Sequence, residues 1–498
     1  MTQPIKWLLA IVATLLVVAL ALYIAMRVFV GAVDLDAVLN NPGEFNAANV
    51  GSQIQVPEGF SIGTFATNLT GARVLRFSDE GHLLVSMPKL GQIIILKDED
   101  SDGRADRREV LLEGLNGPNG IDFFKGWLYV AETDAVGRVS FDHATGRTTS
   151  SYQQIVTGLP GGGNHWKKTL RFGPDNLMYV SMGSSCNVCT EDDERRATLV
   201  RYSPDGSNEM IFARGLRNSV GFDWSASGDI YATDNGRDLL GDDYPPCELN
   251  LVTQGAHYGW PYANGGKESD PDFGVGNEAL IEESVAPVHN FKAHNAPLGI
   301  EFIDAEGLPE DYQGAAIVAL HGSWNRSEKD GYKVVSLHWN AAGEISERDF
   351  VSGFLDDGDV LGRPAEVVQG PDGAVYISDD YSGVIYRVAY GETQQLQLGS
   401  VADVYSAEKS LASYASKAGE VDRLKASGKA LYDQFQCVAC HNDNGRGLKT
   451  LEKLGAKYDI DALSEYLKRP NAPMPQFPLD EAQREALSVY LIDRYPGS

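Results

Sequence analysis

Residues 170–181 have the sequence LRFGPDNLMYVS, in which a short apolar stretch leads through a Gly-Pro-Asp-Asn turn into a strand-like alternation. Segments of the same design begin at residues 75, 121, 220, 298 and 366, with the sequences LRFSDEGHLLVS, IDFFKGWLYVAE, VGFDWSASGDIYATD, LGIEFIDAEG and EVVQGPDGAVYISDD. Such turns between alternating strands are typical of β-hairpins, and the recurrence suits four-stranded propeller blades with insertions. The sequence therefore predicts a six-bladed all-β propeller over residues 53–391. An open sandwich of many strands is the alternative.

The N-terminal segment is strongly apolar. Residues 7–25, WLLAIVATLLVVALALYIA, carry no charge, and a helix of about 20 apolar residues is long enough to cross a bilayer. The pattern favours a transmembrane anchor over residues 1–30, followed by a linker over 31–52. A secretory signal that is removed is the alternative. Lys6 and Arg27 lie at opposite ends of the run, so the positive-inside rule does not orient it.

Residues 437–441, Cys-Val-Ala-Cys-His, form a haem-attachment pattern near the other end of the chain. At this spacing the thiols of Cys437 and Cys440 can bond to the two vinyl groups of one haem, while His441 binds the iron. A chance cysteine pair or half of a zinc site is the alternative. Met474 is the only methionine after Met210, and its proline-flanked loop makes it the predicted second axial ligand.

The whole segment 423–498 resembles the small monohaem cytochromes c. The resemblance implies a small all-α domain with His/Met ligation of a covalent haem c, an electron-transfer role, and completion outside the cytoplasm. Residues 392–422, which are polar and small, are predicted to be a linker between this domain and the propeller. The multidomain chain is thus expected to have an inner-membrane single-pass anchor with its bulk in the periplasm.

Four polar clusters lie next to the predicted strands. His165 follows a glycine run at a loop-to-strand junction, where it could be a general base or a surface histidine capping a turn. Arg217 and Asn218 suit a ligand that carries carboxylates. The acidic, glycine-containing segment 233–243 suits Ca²⁺, and Arg363 precedes the sixth repeat.

Together these clusters resemble the pyrroloquinoline-quinone (PQQ) dependent sugar dehydrogenases of the soluble glucose and L-sorbosone dehydrogenase group. The resemblance covers most of residues 56–390 and is carried by HWKKTLRFGPDNLMYVS, ARGLRNSVGFD, TDNGRDLLGDDYPPCELN, GAHYGWP, HNAPLG and GRPAEVVQGPDG. It implies that His165 is the base that takes the proton of the sugar hydroxyl. It further implies that PQQ is bound by Arg217, Asn218 and Arg363, and Ca²⁺ by the backbone carbonyls of Gly236 and Arg237.

The sequence departs from that group in two places. Soluble glucose dehydrogenases carry two closely spaced arginines where this chain has only Arg363. They also place a cofactor-binding lysine near the fifth blade, where this chain has His-Gly-Ser-Trp-Asn-Arg at residues 321–326. Asn325 or Arg326 could replace that lysine.

Outside these clusters, residues 98–106 (DEDSDGRAD) resemble an Asp-rich Ca²⁺ loop with a turn glycine. A structural Ca²⁺ bound by Asp98, Asp100, Asp102 and Asp106 is favoured over a solvated acidic hairpin. Cys186 and Cys189 are predicted to form a disulfide, with a metal half-site as the alternative. Cys247 is predicted to be simply buried. His294 and His321 could line the pocket, although a packed role is favoured for both.

The net charge of −27 argues against binding to nucleic acid. We therefore expect a membrane-anchored quinoprotein–cytochrome oxidoreductase that oxidises an aldose-type sugar or a related alcohol or aldehyde. Its electrons would pass to its own haem c and then to a cytochrome or the respiratory chain. The alternatives are a Ca²⁺-dependent lactonase-like hydrolase and a non-catalytic haem carrier with a propeller docking module.

Overall fold

The computed structural model describes most of the propeller region and much of the C-terminal region. The described residues are Thr14, Val17, Val18, 53–304, 307–391, 420–435, 437–439, 441, 451, 454–458, 460–468, 470, 474 and 477–495. The predicted anchor and the 31–52 linker lie outside them apart from the three N-terminal residues, as does the 392–422 linker apart from its last three residues. Within the described ranges, no helix combines the length and apolarity that a membrane span requires.

The chain divides into two compact units near residue 398. The described part of the first consists mainly of six β-sheets of four or five strands, with two small two-stranded hairpins beside them. Its strands, numbered along the chain, begin with β1 (Phe60–Ala66). The first two sheets after it contain β2 (Leu75–Phe77), β3 (Leu83–Met87), β4 (Gln92–Lys97) and β5 (Arg107–Leu112), then β6 (Ile121–Phe124), β7 (Trp127–Ala131), β8 (Ala135–Asp142), β9 (Arg147–Thr148) and β10 (Gln153–Thr157). The third contains β11 (Lys168–Phe172), β12 (Met178–Met182), β13 (Thr198–Tyr202) and β14 (Met210–Arg214).

The remaining sheets continue the same order. The fourth contains β15 (Phe222–Trp224), β16 (Ile230–Asp234), β17 (Cys247–Val252) and β20 (His289–Phe291). Between β17 and β20 the chain forms a small hairpin, β18 (Ala263–Asn264) with β19 (Glu268–Ser269), and helix α1 (Glu278–Glu283). The fifth contains β21 (Pro297–Phe302), β22 (Ala316–Leu320), β23 (Lys333–Trp339) and β24 (Ile345–Val351). A second small hairpin, β25 (Leu355–Asp356) and β26 (Asp359–Val360), precedes the sixth sheet, which contains β27 (Pro364–Gln369), β28 (Val375–Asp379) and β29 (Val384–Tyr390).

The six repeats found in the sequence mark the first strands of these sheets, β2, β6, β11, β15, β21 and β27. First strands of neighbouring sheets contact one another, β27 with β2, β2 with β6, β15 with β21 and β21 with β27. Glycines permit this approach: a Cβ on Gly120 would lie 2.3 Å from the Leu170 nitrogen, and one on Gly221 would lie 2.1 Å from the Leu298 oxygen. The first strands therefore surround a common axis, and the predicted six-bladed propeller is confirmed.

The N-terminal strand closes the ring. Strand β1 pairs with β29, so that the sixth sheet has the order β1-β29-β28-β27 and contains both ends of the propeller sequence. Apolar side chains of β1 pack into a core cluster that the fifth and sixth blades share, where the Phe60 and Phe350 rings meet edge to face at 5.3 Å. Burial of such large side chains stabilises the closure by about 1.5–3 kcal/mol each.

The second unit is helical. It contains α2 (Glu420–Gln434), a 3₁₀ turn (Cys437–Ala439), α3 (Leu454–Lys457), α4 (Ile460–Lys468) and α5 (Glu481–Arg494). Asp480 caps α5 by accepting from the Gln483 backbone N–H, while the Gln483 side chain accepts from the Asp480 N–H, a capping box. Gly428 lets α2 approach α5 closely, because a Cβ there would lie 2.0 Å from the Ala486 oxygen. The predicted all-α C-terminal domain is confirmed.

Candidate active site

The predicted site residues lie at one end of the blades. His165 precedes β11, Arg217 and Asn218 precede β15, and Arg363 precedes β27. Each first strand is antiparallel to the second strand of its blade, with Lys168 opposite Met182, Phe222 opposite Ala232 and Pro364 opposite Asp379. Residues that precede a first strand and residues that follow a second strand therefore meet at the same edge of the propeller.

His165 is partly buried beside residues that follow β12. Its Nδ1 lies 3.1 Å from the Ser184 carbonyl oxygen and 2.8 Å from the Ser184 hydroxyl. A carbonyl can only accept, so Nδ1 carries the proton and Nε2 keeps its lone pair. Burial, reinforced by the positive charge of Arg217, lowers the pKa of His165 to about 3. The imidazole is therefore neutral near pH 7, with Nε2 able to accept a proton.

Arg217 is buried, and hydrogen-bond acceptors surround its guanidinium. Its Nε donates to the Asn187 carbonyl at 2.8 Å, one terminal nitrogen donates to the Asn235 carbonyl at 2.9 Å, and the other donates to the Asn187 side-chain oxygen at 2.9 Å. The backbone N–H groups of Arg217 and Asn218 both donate to the Asp234 carboxylate. These bonds fix the guanidinium in one orientation.

Asn218 meets His165 at Gly183. A Cβ on Gly183 would lie 2.5 Å from the His165 Cβ and 2.8 Å from the Asn218 side-chain oxygen. The structure therefore brings together three of the predicted residues, His165, Arg217 and Asn218, and a glycine is required where they meet.

Asp238 is a site residue that sequence reasoning did not single out. Its carboxylate lies 3.4 Å from the Arg217 terminal nitrogen and 3.6 Å from the His294 Nδ1, and it accepts from the Asn325 amide at 3.0 Å. Burial opposes ionisation here, but the adjacent His294 and the charge of Arg217 hold the pKa of Asp238 below its usual value. Its place in the predicted Ca²⁺ segment was the signal that could have identified it.

Arg363 belongs to a second group of charges at the same edge. It is buried, its Nε and a terminal nitrogen donate at 3.2 Å to the carbonyls of His321 and Gly322, and its guanidinium lies 5.7 Å from the centre of the Tyr332 ring. The His321 Nε2 lies 2.8 Å from the Asp380 carboxylate. Asp380 also accepts from Arg73 at 2.7 Å.

Lys167 completes this second group. It is partly buried, and its ammonium lies 5.3 Å from the centre of the Trp166 ring. Burial, with the charge of Arg73 next in weight, lowers the pKa of Lys167 to about 7. Within the described residues no carboxylate lies close enough to form a salt bridge with it. Arg73 and Lys167 were both missed, although Lys167 stands two residues after His165.

The structure places the predicted Ca²⁺ ligands Gly236 and Arg237 just after β16. A Cβ on Gly236 would lie 2.6 Å from the Pro246 carbonyl oxygen, so backbone segments approach closely here. The Arg237 side chain turns into a buried ion pair, 2.8 Å from both oxygens of Asp270. That side chain fixes the loop, and only the Arg237 carbonyl is left for the predicted metal role.

The acidic loop between β4 and β5 groups three of its four predicted ligands. Carboxylate oxygens of Asp98, Asp100 and Asp106 all lie within 4.8 Å of one another. Asp102 is not in this group, and its carboxylate accepts from the Arg104 backbone N–H at 2.9 Å. The left-handed turn at Gly103, with φ 83°, lets its N–H reach Asp98 at 2.9 Å. The cluster has the oxygen donors that Ca²⁺ prefers.

The remaining cysteines of the propeller agree with prediction. Cys186 and Cys189 are joined by a disulfide, and Cys247 is free and buried. His294 and His321 are packed as expected, but each also contacts a site carboxylate, Asp238 and Asp380 respectively.

In the helical unit, two of the predicted haem residues, Cys437 and Met474, lie at one core. Cys437 begins the 3₁₀ turn, and the His441 N–H donates to its carbonyl at 2.9 Å. The side chains of Cys437 and Met474 both pack against the helical core, and Tyr432 donates to the His441 carbonyl at 3.2 Å. Cys440 lies outside the described residues. This arrangement fits a haem attached at Cys437.

Comparison with known proteins gives two family matches. Residues 51–398 match a family model described as "Domain of unknown function (DUF7133)", and residues 423–491 match "Cytochrome C oxidase, cbb3-type, subunit III". An uncharacterized protein of Borreliella burgdorferi is 30% identical over 361 residues, covering 69% of this chain and 93% of that protein. A pyrroloquinoline quinone-dependent pyranose dehydrogenase of Coprinopsis cinerea is 25% identical over 405 residues, covering 68% of this chain and 54% of the dehydrogenase.

Solved structures give the same fold. The holo PQQ domain of the Coprinopsis cinerea pyranose dehydrogenase superposes with a TM-score of 0.58 at 22% identity, covering 68% of this chain and 97% of that domain. A calcium structure of a Trichoderma reesei carbohydrate-active enzyme of family AA12 gives 0.60 at 21% identity, with 68% and 97% covered. The chain belongs to the DUF7133 family, and it joins a six-bladed propeller like that of PQQ-dependent sugar dehydrogenases to a cbb3-type cytochrome c domain.

Proposed function

We propose that the protein is a quinoprotein–cytochrome oxidoreductase that oxidises an aldose-type sugar, or a related alcohol or aldehyde, and passes the electrons to its own haem c. One observation carries the proposal: a neutral histidine and two groups of cations held in fixed positions lie together at one edge of the propeller. The sequence likeness to a sugar dehydrogenase supports the substrate class, although the chain spans about half the length of that dehydrogenase.

The cationic groups suit PQQ, which carries three carboxylates. Arg217 and Asn218 would hold it on one side, and Arg363, Arg73 and Lys167 on the other. Two polar groups fit a polar ligand. The Lys167 ammonium lacks a carboxylate partner among the described residues. The buried Asn325 side-chain oxygen has no hydrogen-bond partner in the described part of the chain. Arg73 and Lys167 would supply the positive charge that soluble glucose dehydrogenases take from a second arginine and a lysine.

His165 is the proposed general base. Its Nδ1–H is held by Ser184, so Nε2 would take the proton of the substrate hydroxyl as that carbon is oxidised. When bound, PQQ supplies the two-electron acceptor for this oxidation. The fixed guanidinium of Arg217 would orient the cofactor and stabilise negative charge near it, and Asp238 would keep Arg217 and His294 in place.

We further propose two Ca²⁺ sites. One would use the backbone carbonyls of Gly236 and Arg237 near the cofactor, where a divalent cation would favour charge development on a bound quinone. The other would be structural and would use Asp98, Asp100 and Asp106. This second cluster lies on a hairpin between β4 and β5, away from His165, and therefore gives no support to a hydrolase centred on an axial metal.

The C-terminal domain is proposed to carry haem c on Cys437 and Cys440, with His441 and Met474 as axial ligands. A covalent haem on the same chain as a PQQ-type propeller would give the reduced cofactor an electron acceptor, which a docking module would not need. The Cys186–Cys189 disulfide supports an oxidising compartment. With the apolar N-terminus, it supports an inner-membrane anchor, a periplasmic body and a downstream cytochrome or respiratory-chain acceptor.

The test is cofactor binding and turnover by the purified chain. We expect PQQ, titrated calorimetrically in the presence of Ca²⁺, to bind stoichiometrically, and a panel of aldoses then to reduce an artificial dye. Failure to bind PQQ, or binding with no oxidation of any sugar, alcohol or aldehyde offered, would contradict the proposal. The Arg217→Ala variant provides the control, because loss of that guanidinium should weaken PQQ binding.

A further inference from the structure

The loop that joins β12 to β13 contacts both halves of the candidate site. Residues 183–197 form no strand or helix, and the Cys186–Cys189 disulfide closes a short ring within them. Ser184 stands just before this ring, and Asn187 stands inside it. The polar groups of these two residues reach His165 on one side and Arg217 on the other.

Ser184 connects the ring to His165. The Ser184 hydroxyl donates to the Cys186 carbonyl at 2.7 Å, so its oxygen is left to accept from the His165 Nδ1–H at 2.8 Å. The Ser184 carbonyl accepts from the same nitrogen, and the Ser184 N–H donates to the Arg217 carbonyl at 2.8 Å. Ser184 is fully buried. A chain of hydrogen bonds therefore runs from the disulfide ring to the imidazole and sets which nitrogen is protonated.

Asn187 connects the ring to Arg217 and Asp238. Its carbonyl and its side-chain oxygen both accept from the Arg217 guanidinium. The same side-chain oxygen accepts from the Asp238 N–H at 2.8 Å, and the side-chain amide donates to the Asp238 carbonyl at 3.1 Å. One asparagine thus orients the cation proposed to hold the cofactor and the backbone of the carboxylate beside it.

The disulfide ring is itself held in place. Glu191 accepts from the Ser185 N–H at 2.6 Å and from the Ser185 hydroxyl at 2.7 Å. The Ser185 carbonyl accepts from the Asn164 N–H at 2.8 Å, next to His165. A loop without regular secondary structure would otherwise sample many conformations, and a cross-link restricts them.

We propose that the Cys186–Cys189 ring is a positioning element for the reaction, with Ser184 and Asn187 as positioning residues that act through His165 and Arg217. Ser184 keeps the His165 Nε2 unprotonated and aimed at the substrate. Asn187 keeps the Arg217 guanidinium in the orientation that binds the cofactor. The inference rests on the proposed function, because it assigns the ring a role in holding PQQ and the base.

The experiment compares Asn187→Ala, Ser184→Ala and the double variant Cys186→Ser/Cys189→Ser with the wild-type full chain. Calorimetric titration gives the Kd for PQQ, and sugar oxidation at saturating PQQ gives kcat. Asn187→Ala should raise the Kd by about 10- to 100-fold, the effect of losing hydrogen bonds to a charged group, with a smaller change in kcat. Ser184→Ala should lower kcat by about 10-fold while the Kd stays within about twofold.

The double cysteine variant should show both effects. Asn340→Ala, on the exposed turn between β23 and β24, is the matched control and should change neither value. A general loss of stability would change Kd and kcat together in every variant. A positioning role instead changes mainly the Kd in Asn187→Ala and mainly kcat in Ser184→Ala. Values within about twofold of wild type in the double cysteine variant, or in both single variants, would overturn this inference alone. Absence of PQQ binding by the wild type would overturn it together with the proposed function.

Discussion

Replacement of His165 by alanine tests the proposed base. A positioned general base contributes about 10²–10⁴-fold to the rate, and the structure gives His165 the features of one. Its Nδ1–H is tied to Ser184, and its Nε2 can accept. The pKa of His165, lowered to about 3, keeps the imidazole neutral but also makes it a weaker base. We therefore expect His165→Ala to lower kcat by about 10²–10⁴-fold while the Kd for PQQ changes little, since His165 is not proposed to hold the cofactor.

The pH dependence expected of the base follows from the lowered pKa of His165. At pH 5 an imidazole of ordinary pKa 6.5 would be about 97% protonated, whereas one with a pKa of about 3 would be about 1% protonated. Burial and the charge of Arg217 disfavour the imidazolium, so the base should remain neutral until the pH falls toward 3. The unfolded chain, with its ordinary pKa, would bind the proton below pH 6.5, so His165 should lower the stability of the fold as the pH falls.

The assay is sugar-dependent haem reduction at saturating PQQ and Ca²⁺, followed between pH 5 and 8. The matched control is His143→Ala, on the turn between β8 and β9, where the ring packs against Phe123 and Phe141 and has no proposed role. It should retain the wild-type rate. A wild-type rate in His165→Ala, or an acid limb near pH 6.5 that His165→Ala removes, would refute the reasoning about this residue.

Four further predictions concern the other parts of the chain. Lys167→Gln should weaken PQQ binding measured calorimetrically, because it removes an ammonium that has no carboxylate partner in the described part of the chain. Lys125→Gln on the β6–β7 turn should not weaken it, and equal affinities of Lys167→Gln and wild type would exclude Lys167 from the cofactor site. Met474→Ala should open the sixth position of the haem iron and lower its potential, and an unchanged reduced spectrum would show that Met474 is not the ligand. Asp98→Asn should reduce the rise in melting temperature that Ca²⁺ produces, and an undiminished rise would place that ion elsewhere. The intact chain should stay with membranes in high salt, because salt does not weaken an attachment made by burying about 20 apolar residues in the bilayer. A mature protein that starts near Val33 and is found in the soluble fraction would instead support a cleaved signal.

The blades were predictable because their signals are local. Each repeat contains a strand, a tight turn and a second strand, and these correspond to pairs such as β11 with β12 and β27 with β28. The closing strand β1 was not predicted, because its partner β29 lies more than 300 residues later and no short pattern links the two. The Cys-x-x-Cys-His motif is local in the same way, and it located the helical domain.

Much of the site could not be predicted, because its residues come together only in the fold and no local pattern links them. Motif resemblance identified His165 and Arg217, but Arg73 meets Asp380 across 307 positions of sequence. Ser184 and Asn187 show no sequence pattern that separates a positioning role from an ordinary loop, and only the fold brings them to His165 and Arg217. Asp102 satisfied the spacing of a Ca²⁺ loop, yet its carboxylate lies outside the group formed by Asp98, Asp100 and Asp106, which the spacing alone does not reveal.

The central claim is that one polypeptide oxidises the sugar and receives the electrons on its own haem. The direct measurement is rapid mixing of the PQQ- and Ca²⁺-loaded oxidised protein with an aldose that it oxidises, with haem reduction followed spectroscopically over a range of protein concentrations. We predict that the haem is reduced without any added mediator, with a first-order rate constant that does not change as the protein is diluted. If the haem stays oxidised while the sugar is consumed, or if its reduction slows in proportion to dilution, electron transfer within one chain is contradicted.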